Sequence, residues 1–328
     1  MKNKKIIIAG GTGFIGRQLA RYFSPDNEIV ILTRNSHDLS NNAFADFTLE
    51  GAYRNNVTLV EWNGKDAGSW VAAINGSDLV VNLAGKSVNC RYNATNRQEI
   101  FDSRTNTTKA LADAINKAAN PPTLWINAAS ATIYRDATDR PQDEYTGEYH
   151  DDFSVQVCKL WEHTFFNTAT PATRKIALRI AITLGEGGVM VPYMTLCKFA
   201  LGGKQGNGHQ MFSWVHIEDL CRVIDFAFAN EDMQGVYNVS SPNPVTNKRF
   251  MRELRLATGH RIGLPAYQWM LAIGAPVIGT EKELLLKSRW VLPARLLEKG
   301  FVFRYPSIQN AFKEIIGKVP RKRYHLFG

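Results

Sequence analysis

The run Ile6-Ile7-Ile8-Ala9 passes without interruption into Gly10-Gly11-Thr12-Gly13-Phe14-Ile15-Gly16, and no other stretch restricts the fold of this chain so tightly. The glycines satisfy two spacings at once, G-x-x-G-x-x-G counted from Gly10 and G-x-G-x-x-G counted from Gly11. Residues without a Cβ allow a tight turn, let backbone N–H groups approach a ligand, and let the following helix pack closely on the strand. The N-terminus of that helix carries unpaired donors and a partial positive charge, which suit a pyrophosphate. A strand, a glycine turn and a helix in that order are the context in which this spacing carries meaning. Gly10, Gly11, Thr12, Gly13, Phe14, Ile15 and Gly16 are therefore expected to cradle a dinucleotide.

The first half of the chain alternates short β-branched runs with helical stretches. Strands are expected at Lys5–Ala9, Glu28–Leu32, Val57–Trp62, Leu79–Leu83, Leu124–Ala128 and Ile176–Ile182, and helices at Phe14–Phe23, Asn96–Ala118 and Ser154–Asn167. Most strand runs are continuously apolar, as required of strands covered on both faces. That order predicts right-handed β-α-β crossovers and a Rossmann α/β fold, a doubly wound parallel sheet. Beyond Gly185 the texture changes, with Gly185–Gly188, Gly202–Gly208, Ser241–Pro244 and Pro265–Pro276 interrupting the alternation. We expect a dinucleotide-binding domain over 1–185, with returns near 214–234, and a smaller, interleaved α/β substrate domain over 186–328. The polar stretch Asn35–Asn56 is longer than an ordinary connection and reads as an insertion.

The end of the second strand selects the cofactor. Folds that bind NAD place an acidic residue there, about 20 residues beyond the turn, on the ribose hydroxyls. Here the strand ends Leu32-Thr33-Arg34-Asn35. A guanidinium pairs with a 2′-phosphate as a charge-assisted fork, so Arg34 predicts NADP(H). Asn82-Leu83-Ala84-Gly85 falls at the end of the fourth strand, at the carboxyl edge where such sheets bind ligands.

With these blocks in place, the sequence resembles the extended short-chain dehydrogenase/reductase superfamily, as an atypical member. More closely it is similar to the NAD-dependent, sugar-nucleotide-epimerase-like family that carries its own C-terminal domain of unknown function and is sometimes mislabelled a cell-division inhibitor. The resemblance spans nearly the whole chain. It rests on Gly10–Gly16, Leu32–Arg34, Asn82–Gly85 and Ser103-Arg104, then on Gly202–Ser213 with Trp214-Val215-His216-Ile217-Glu218-Asp219-Leu220, and on Val291-Leu292-Pro293 with Gly300-Phe301. It implies NADP(H) contacts from Thr33, Arg34, Leu83, Ala84, Glu99, Arg104 and Thr183.

The superfamily's chemistry uses a Ser or Thr after the fifth strand and a Tyr-x-x-x-Lys pair on the next helix. Lysine lowers the tyrosine pKa, tyrosine exchanges a proton with a carbonyl or hydroxyl, and serine orients it. Ser130 matches the serine. No tyrosine in the chain has a lysine four residues later, and aligning on Lys159–Glu162 puts Ser154 and Cys158 where the pair should stand. Tyr134, assisted by Lys159, is the substitute proton carrier; packing is the alternative for it. Cys158 as a nucleophile lacks a histidine partner and reads better as a small buried residue. His216 could serve as a base near neutrality, although packing where the chain re-enters the sheet is the simpler reading. The loop Gly202–Gly208 is either a lid or a tight connection. The aromatic set Phe212, Trp214, Tyr237, Trp269 and Trp290 reads as core before it reads as a sugar platform.

The 328 residues carry a net charge of +9, dispersed except for Lys318 with Arg321–Arg323. We read that run as a solvated end and expect no nucleic-acid partner. No apolar run approaches the roughly 20 residues that span a bilayer, so no membrane partner is expected. Four cysteines without a C-x-x-C pair, and no clustered histidines, point to reduced thiols in a cytoplasmic protein with no metal. The oligomeric state stays open, although related folds pair helices across a homodimer. Two functions remain in view. One is an NADP(H)-dependent oxidoreductase or epimerase acting on a small carbonyl compound or nucleotide-linked sugar. The other is a non-catalytic NADP(H)-binding redox sensor or interaction protein.

Overall fold

A computed structural model describes residues 1–34, 56–88, 90–266 and 287–326. The strands are β1 (Lys5–Ala9), β2 (Glu28–Thr33), β3 (Val57–Glu61), β4 (Leu79–Asn82), β5 (Leu124–Ser130), β6 (Arg174–Ile180), β7 (Ile182–Leu184), β8 (Met211–Phe212), β9 (Trp214–His216), β10 (Gly235–Val239) and β11 (Val245–Thr246). The helices are α1 (Phe14–Phe23), α2 (Val71–Ile74), α3 (Ala94–Lys117), α4 (Phe153–Asn167), α5 (Met190–Lys198), α6 (Ile217–Ala229), α7 (Asn247–Ala257), α8 (Ala294–Glu298) and α9 (Ile308–Lys318). Seven strands form one parallel sheet in the order β10-β6-β5-β4-β1-β2-β3. The order reverses at β1, and ligands of such sheets bind beside that switch point. The Rossmann architecture is the one the alternation predicts. Of the features named from sequence, residues 35–55 of the insertion, residues 267–276 of the Pro265–Pro276 segment and Trp269 lie outside the described residues.

Alternation within β1 shows why its run is continuously apolar. Ile6 and Ile8 face a core shared with α1 and α6, through Leu19, Phe23, Leu220 and Ile224. Ile7 and Ala9 face the opposite core, with Leu111 and Ile115 of α3 and Phe165 of α4. A third core (Met190, Tyr193, Trp214, Phe250, Phe312 and Ile315) joins α5, α7 and α9. The strand expected over 176–182 is two elements. β6 stops at Ile180, and Ile182–Leu184 leaves the sheet to pair with Trp214–His216 in a separate parallel ladder.

Buried polar groups tie the C-terminal segment to the sheet. The Asp219 carboxylate, fully buried, accepts from the Arg304 N–H at 2.7 Å and the Tyr305 N–H at 2.9 Å. Glu144 accepts from the N–H of Asn238 (2.8 Å) and of Ala294 (3.1 Å), and Asn238 Nδ2 donates to Leu292 O at 3.0 Å.

A deeper tie joins β6 to α4. Arg179 donates through Nε and Nη2 to the two oxygens of Glu162, both at 2.8 Å, and through Nη1 to the Tyr134 hydroxyl at 2.8 Å. Both charged residues are buried. Breaking one partner of such a pair leaves an uncompensated buried charge, whereas replacing both with apolar groups of similar size does not. Arg179→Met is therefore expected to destabilise the fold by about 3–5 kcal/mol in chemical denaturation, and Arg179→Met with Glu162→Leu by much less.

Candidate dinucleotide site

The glycine turn sorts its residues by what forbids a side chain. Gly10 has φ +74°, and a Cβ there would stand 2.9 Å from Ala84 N, so the ends of β1 and β4 abut. At Gly16 a Cβ would reach 2.4 Å from Gly11 Cα, which lets α1 lie directly on the turn. Gly13 differs. A Cβ on it would meet only Gly10 O, at 3.5 Å, an ordinary contact. The protein itself leaves room for a side chain at Gly13, so packing within the protein does not require glycine there. Gly13 is also the N-cap of α1, with no side-chain cap and no acidic residue in the first turn. The ten-residue helix thus presents its N-terminal donors and positive end to the same space.

A cleft of about 610 Å³ opens there. Gly10, Thr12, Gly13, Thr33, Arg34, Leu83, Ala84 and Gly85 line it, which gathers eight of the residues chosen from sequence. Arg34 is exposed at the outer end of β2. Gly11 and Gly16 underlie the turn, Ile15 packs toward the α1 core, and the Phe14 ring lies against Gly185 and Gly188. Asn82 shapes the second wall from beneath. Its Oδ1 accepts from Ala84 N at 3.1 Å, and its Nδ2 donates to Asn127 Oδ1 at 2.7 Å. Sequence reasoning missed Asn63, Gly64, Lys65, Lys86 and Asn106, which also line the cleft, as does Ser103. Asn63–Lys65 follow β3 at the carboxyl edge, and the logic applied to Leu83–Gly85 would have found them.

Glu99, Arg104 and Thr183 stand around the cleft rather than among the residues that line it. Glu99 is ion-paired with Lys86. The Arg104 guanidinium packs between Gly85 and the Trp161 ring, 5.1 Å from the ring centroid. Its Nη1 donates to the carbonyls of Lys86 (3.2 Å) and Ile100 (3.0 Å), so among the described residues no carboxylate neutralises it. Burial pushes its pKa below the usual arginine value. A desolvated cation that donates to carbonyls and lies over an indole ring fits beside an anionic ligand. Thr183 is buried and donates to Ala181 O at 3.3 Å. The open space over Gly13, the uncapped helix and Arg104 together fit a dinucleotide phosphate.

The residues considered for catalysis fall apart. Ser130 is half-buried at the carboxyl end of β5, its Oγ 2.9 Å from Thr132 Oγ1. The Tyr134 hydroxyl turns away into the core. It donates to Asn238 Oδ1 at 2.9 Å and accepts from Arg179, and burial pushes its pKa up to about 12. Lys159 is exposed and donates to His150 O at 3.3 Å, so it does not activate Tyr134. Both lie against the ring of Tyr149. This geometry corrects the expectation of Tyr134 and Lys159 as a substitute pair: the hydroxyl is already bonded on both sides and out of reach of water. Ser154 and Cys158 are buried on α4, and burial pushes the Cys158 thiol up to about 12. A thiol so protonated is no nucleophile at neutral pH.

His216 is 2% exposed and caps α6: its Nδ1 accepts from Glu218 N at 3.2 Å. Nε2 therefore carries the proton and donates to Glu314 Oε2 at 2.9 Å. Burial lowers its pKa, and Glu314 only partly offsets this. Phe212, Trp214 and Tyr237 are buried in the cores, while Trp290 is half-buried. In the glycine loop, Gly203 N donates to Leu264 O at 3.1 Å and Gly206 N to Ala266 O at 2.8 Å, so the loop forms a short ladder with the 264–266 segment.

The sheet order and the glycine turn define a Rossmann-type nucleotide-binding protein. Residues 6–240 match the NAD dependent epimerase/dehydratase family, and the chain belongs to it. Residues 268–315 match a domain of unknown function, DUF1731. The chain is 30% identical over 318 residues to the Homo sapiens epimerase family protein SDR39U1, covering 95% of this chain and 99% of that protein. A crystal structure of human SDR39U1 (isoform2) with NADPH superposes with a TM-score of 0.81 at 28% identity, over 96% of this chain and 100% of that one. A nucleoside-diphosphate sugar epimerase from Corynebacterium glutamicum gives a TM-score of 0.73 at 27% identity, over 96% of this chain and 59% of that one.

Two stability measurements follow. Gly16→Ala forces overpacking against backbone and is expected to cost at least about 1–3 kcal/mol, whereas Gly13→Ala should change stability by less than about 1 kcal/mol; equal losses in urea would contradict the geometry. Because the folded His216 pKa lies below its unfolded value, its contribution is complete above about pH 6.5 and is lost as pH falls through the folded value. His216→Asn keeps a capping side chain and should flatten the fall in Tm below about pH 6.5.

Proposed function

We propose that the chain binds NADP(H) along the glycine turn and acts as an oxidoreductase or epimerase on a small carbonyl compound or a nucleotide-linked sugar. The observation that carries this reading is Gly13, whose missing Cβ serves no contact of the protein and leaves the uncapped end of α1 open. NADPH is bound by the human relative's crystal structure, and Arg34 at the end of β2 supports the same choice here. In this reading the α1 N-terminus holds the pyrophosphate, Arg34 pairs with the 2′-phosphate, and Arg104 lends charge beside Gly85. Thr33, Leu83, Ala84, Glu99 and Thr183 complete the cofactor contacts. When bound, the nicotinamide supplies hydride transfer. Ser130 orients the substrate oxygen from the end of β5. The core around α5, α7 and α9 belongs to the substrate-side domain over 186–328, and the sheet to the dinucleotide domain over 1–185.

One observation favours a second reading, a non-catalytic NADP(H)-binding sensor or interaction protein. Tyr134 and Cys158 both lie buried with raised pKa values, so neither exchanges protons near pH 7. Incubation with NADPH and a panel of carbonyl compounds and sugar nucleotides, followed by nicotinamide absorbance and product epimers, separates the two. Turnover that falls about 100-fold or more in Ser130→Ala supports the enzyme. Tight NADPH binding with no turnover on any member supports the sensor. Independently of turnover, Arg34→Asp is expected to weaken NADPH binding at least about tenfold and to leave NADH binding the same or better. An unchanged NADPH affinity would sink the role of Arg34.

A further inference from the structure

Three segments remote in sequence, each carrying basic residues, adjoin one another. The end of α5 brings Lys198 and Phe199, the end of α7 and its turn bring Leu256, Arg261, Ile262 and Leu264, and the tail brings Arg321–Arg323. Leu264 N donates to Ala200 O at 2.7 Å, Lys198 Nζ to Lys322 O at 2.9 Å, and His260 Nε2 lies 2.7 Å from Tyr324 O, so the segments hold one another in place. No acidic residue occurs between Glu186 and Glu218 or after Glu314, and 247–266 contains only Glu253, which lies beside Arg252. The same adjoining segments leave large apolar side chains in water: Phe199 is 54% exposed, Leu256 56%, Ile262 72% and Leu264 57%.

Singly exposed apolar residues need no explanation, but a cluster of them set among cations does. Each property asks for a different partner group, an apolar phase for the side chains and anions for the guanidinium and ammonium groups. An anionic lipid surface offers both at the right depths, acyl chains below and phosphates or carboxylates at the rim. Arg261 and Arg321–Arg323 carry their charge on long, exposed side chains, which suits a fluid array of headgroups better than one fixed carboxylate pattern. We propose that this face docks the protein on an anionic phospholipid bilayer. Docking needs no spanning segment, and among the described residues no helix is long and apolar enough to cross a membrane.

The test uses the full chain, sedimented with vesicles of phosphatidylcholine alone or of phosphatidylcholine with phosphatidylserine. Binding is expected only to the second, and to weaken with salt. Each basic residue near such a surface contributes about fivefold, so Arg261→Glu with Arg321→Glu should reduce partitioning at least about 25-fold. Ile262→Asp should weaken it at low salt as well. None of these residues lines the dinucleotide cleft, so NADPH binding of each variant reports that the fold is intact. The proposal is overturned if the chain sediments with neither vesicle, if neutral vesicles bind it equally, or if these variants bind as the native chain does. It is equally overturned if the face associates with polyglutamate or a second copy of the chain while ignoring anionic vesicles.

Discussion

The approach of Gly16 to Gly11 is the contact on which the rest of the site depends. It lets α1 start on top of the turn instead of beside it, so the helix axis points its N-terminus along the carboxyl edge of the sheet. With β1 abutting β4 at Gly10, the second wall of the cleft is placed by the same close packing. Everything else at that edge, from Thr33 to Ala84, inherits its position from strand register. A parallel sheet covered on both faces allows little slippage, because a shift of one residue would exchange Ile6 and Ile8 with Ile7 and Ala9 between two different cores.

Around this rigid centre, buried polar ties take over where apolar packing carries no direction. Asp219 and Glu144 each satisfy backbone donors of distant segments, so the chain beyond residue 287 is registered against β10 and α6 by hydrogen bonds. The Arg179–Glu162 pair does the same between β6 and α4, and it recruits Tyr134 and, through Nη2, the Tyr149 hydroxyl at 3.0 Å. The loop after β5 is thereby clamped at Tyr134, four residues beyond Ser130.

The sheet was legible in the sequence because its strands are short, apolar and separated by helices of ordinary length, a pattern few other folds produce. The glycine turn was legible because glycine spacing encodes sterics directly. What stayed hidden was pairing between residues with no periodic relation. Arg179 and Glu162 sit seventeen positions apart on a strand and a helix, and nothing in their local context announces a bidentate pair. The same blindness made Tyr134 look available, since a tyrosine four residues after Ser130 reads alike whether its hydroxyl meets a ligand or an arginine. The β6–β7 break was missed for a related reason: Ile180 and Ile182 belong to one apolar run, and only their partners differ. Of the expected cofactor contacts, Thr33, Arg34, Leu83 and Ala84 line the cleft, while Glu99, Arg104 and Thr183, taken from resemblance alone, stand around it.

The surroundings of Cys158 decide what a lysine at that position would meet. Its thiol lies in the field of three guanidiniums, Arg104, Arg289 and Arg179, and of one carboxylate, Glu162. A lysine at this position would add a fourth cation to a region closed to water. A lone Cys158→Lys replacement would therefore bury an added positive charge among these arginines, a costly change unless a neighbour changed with it.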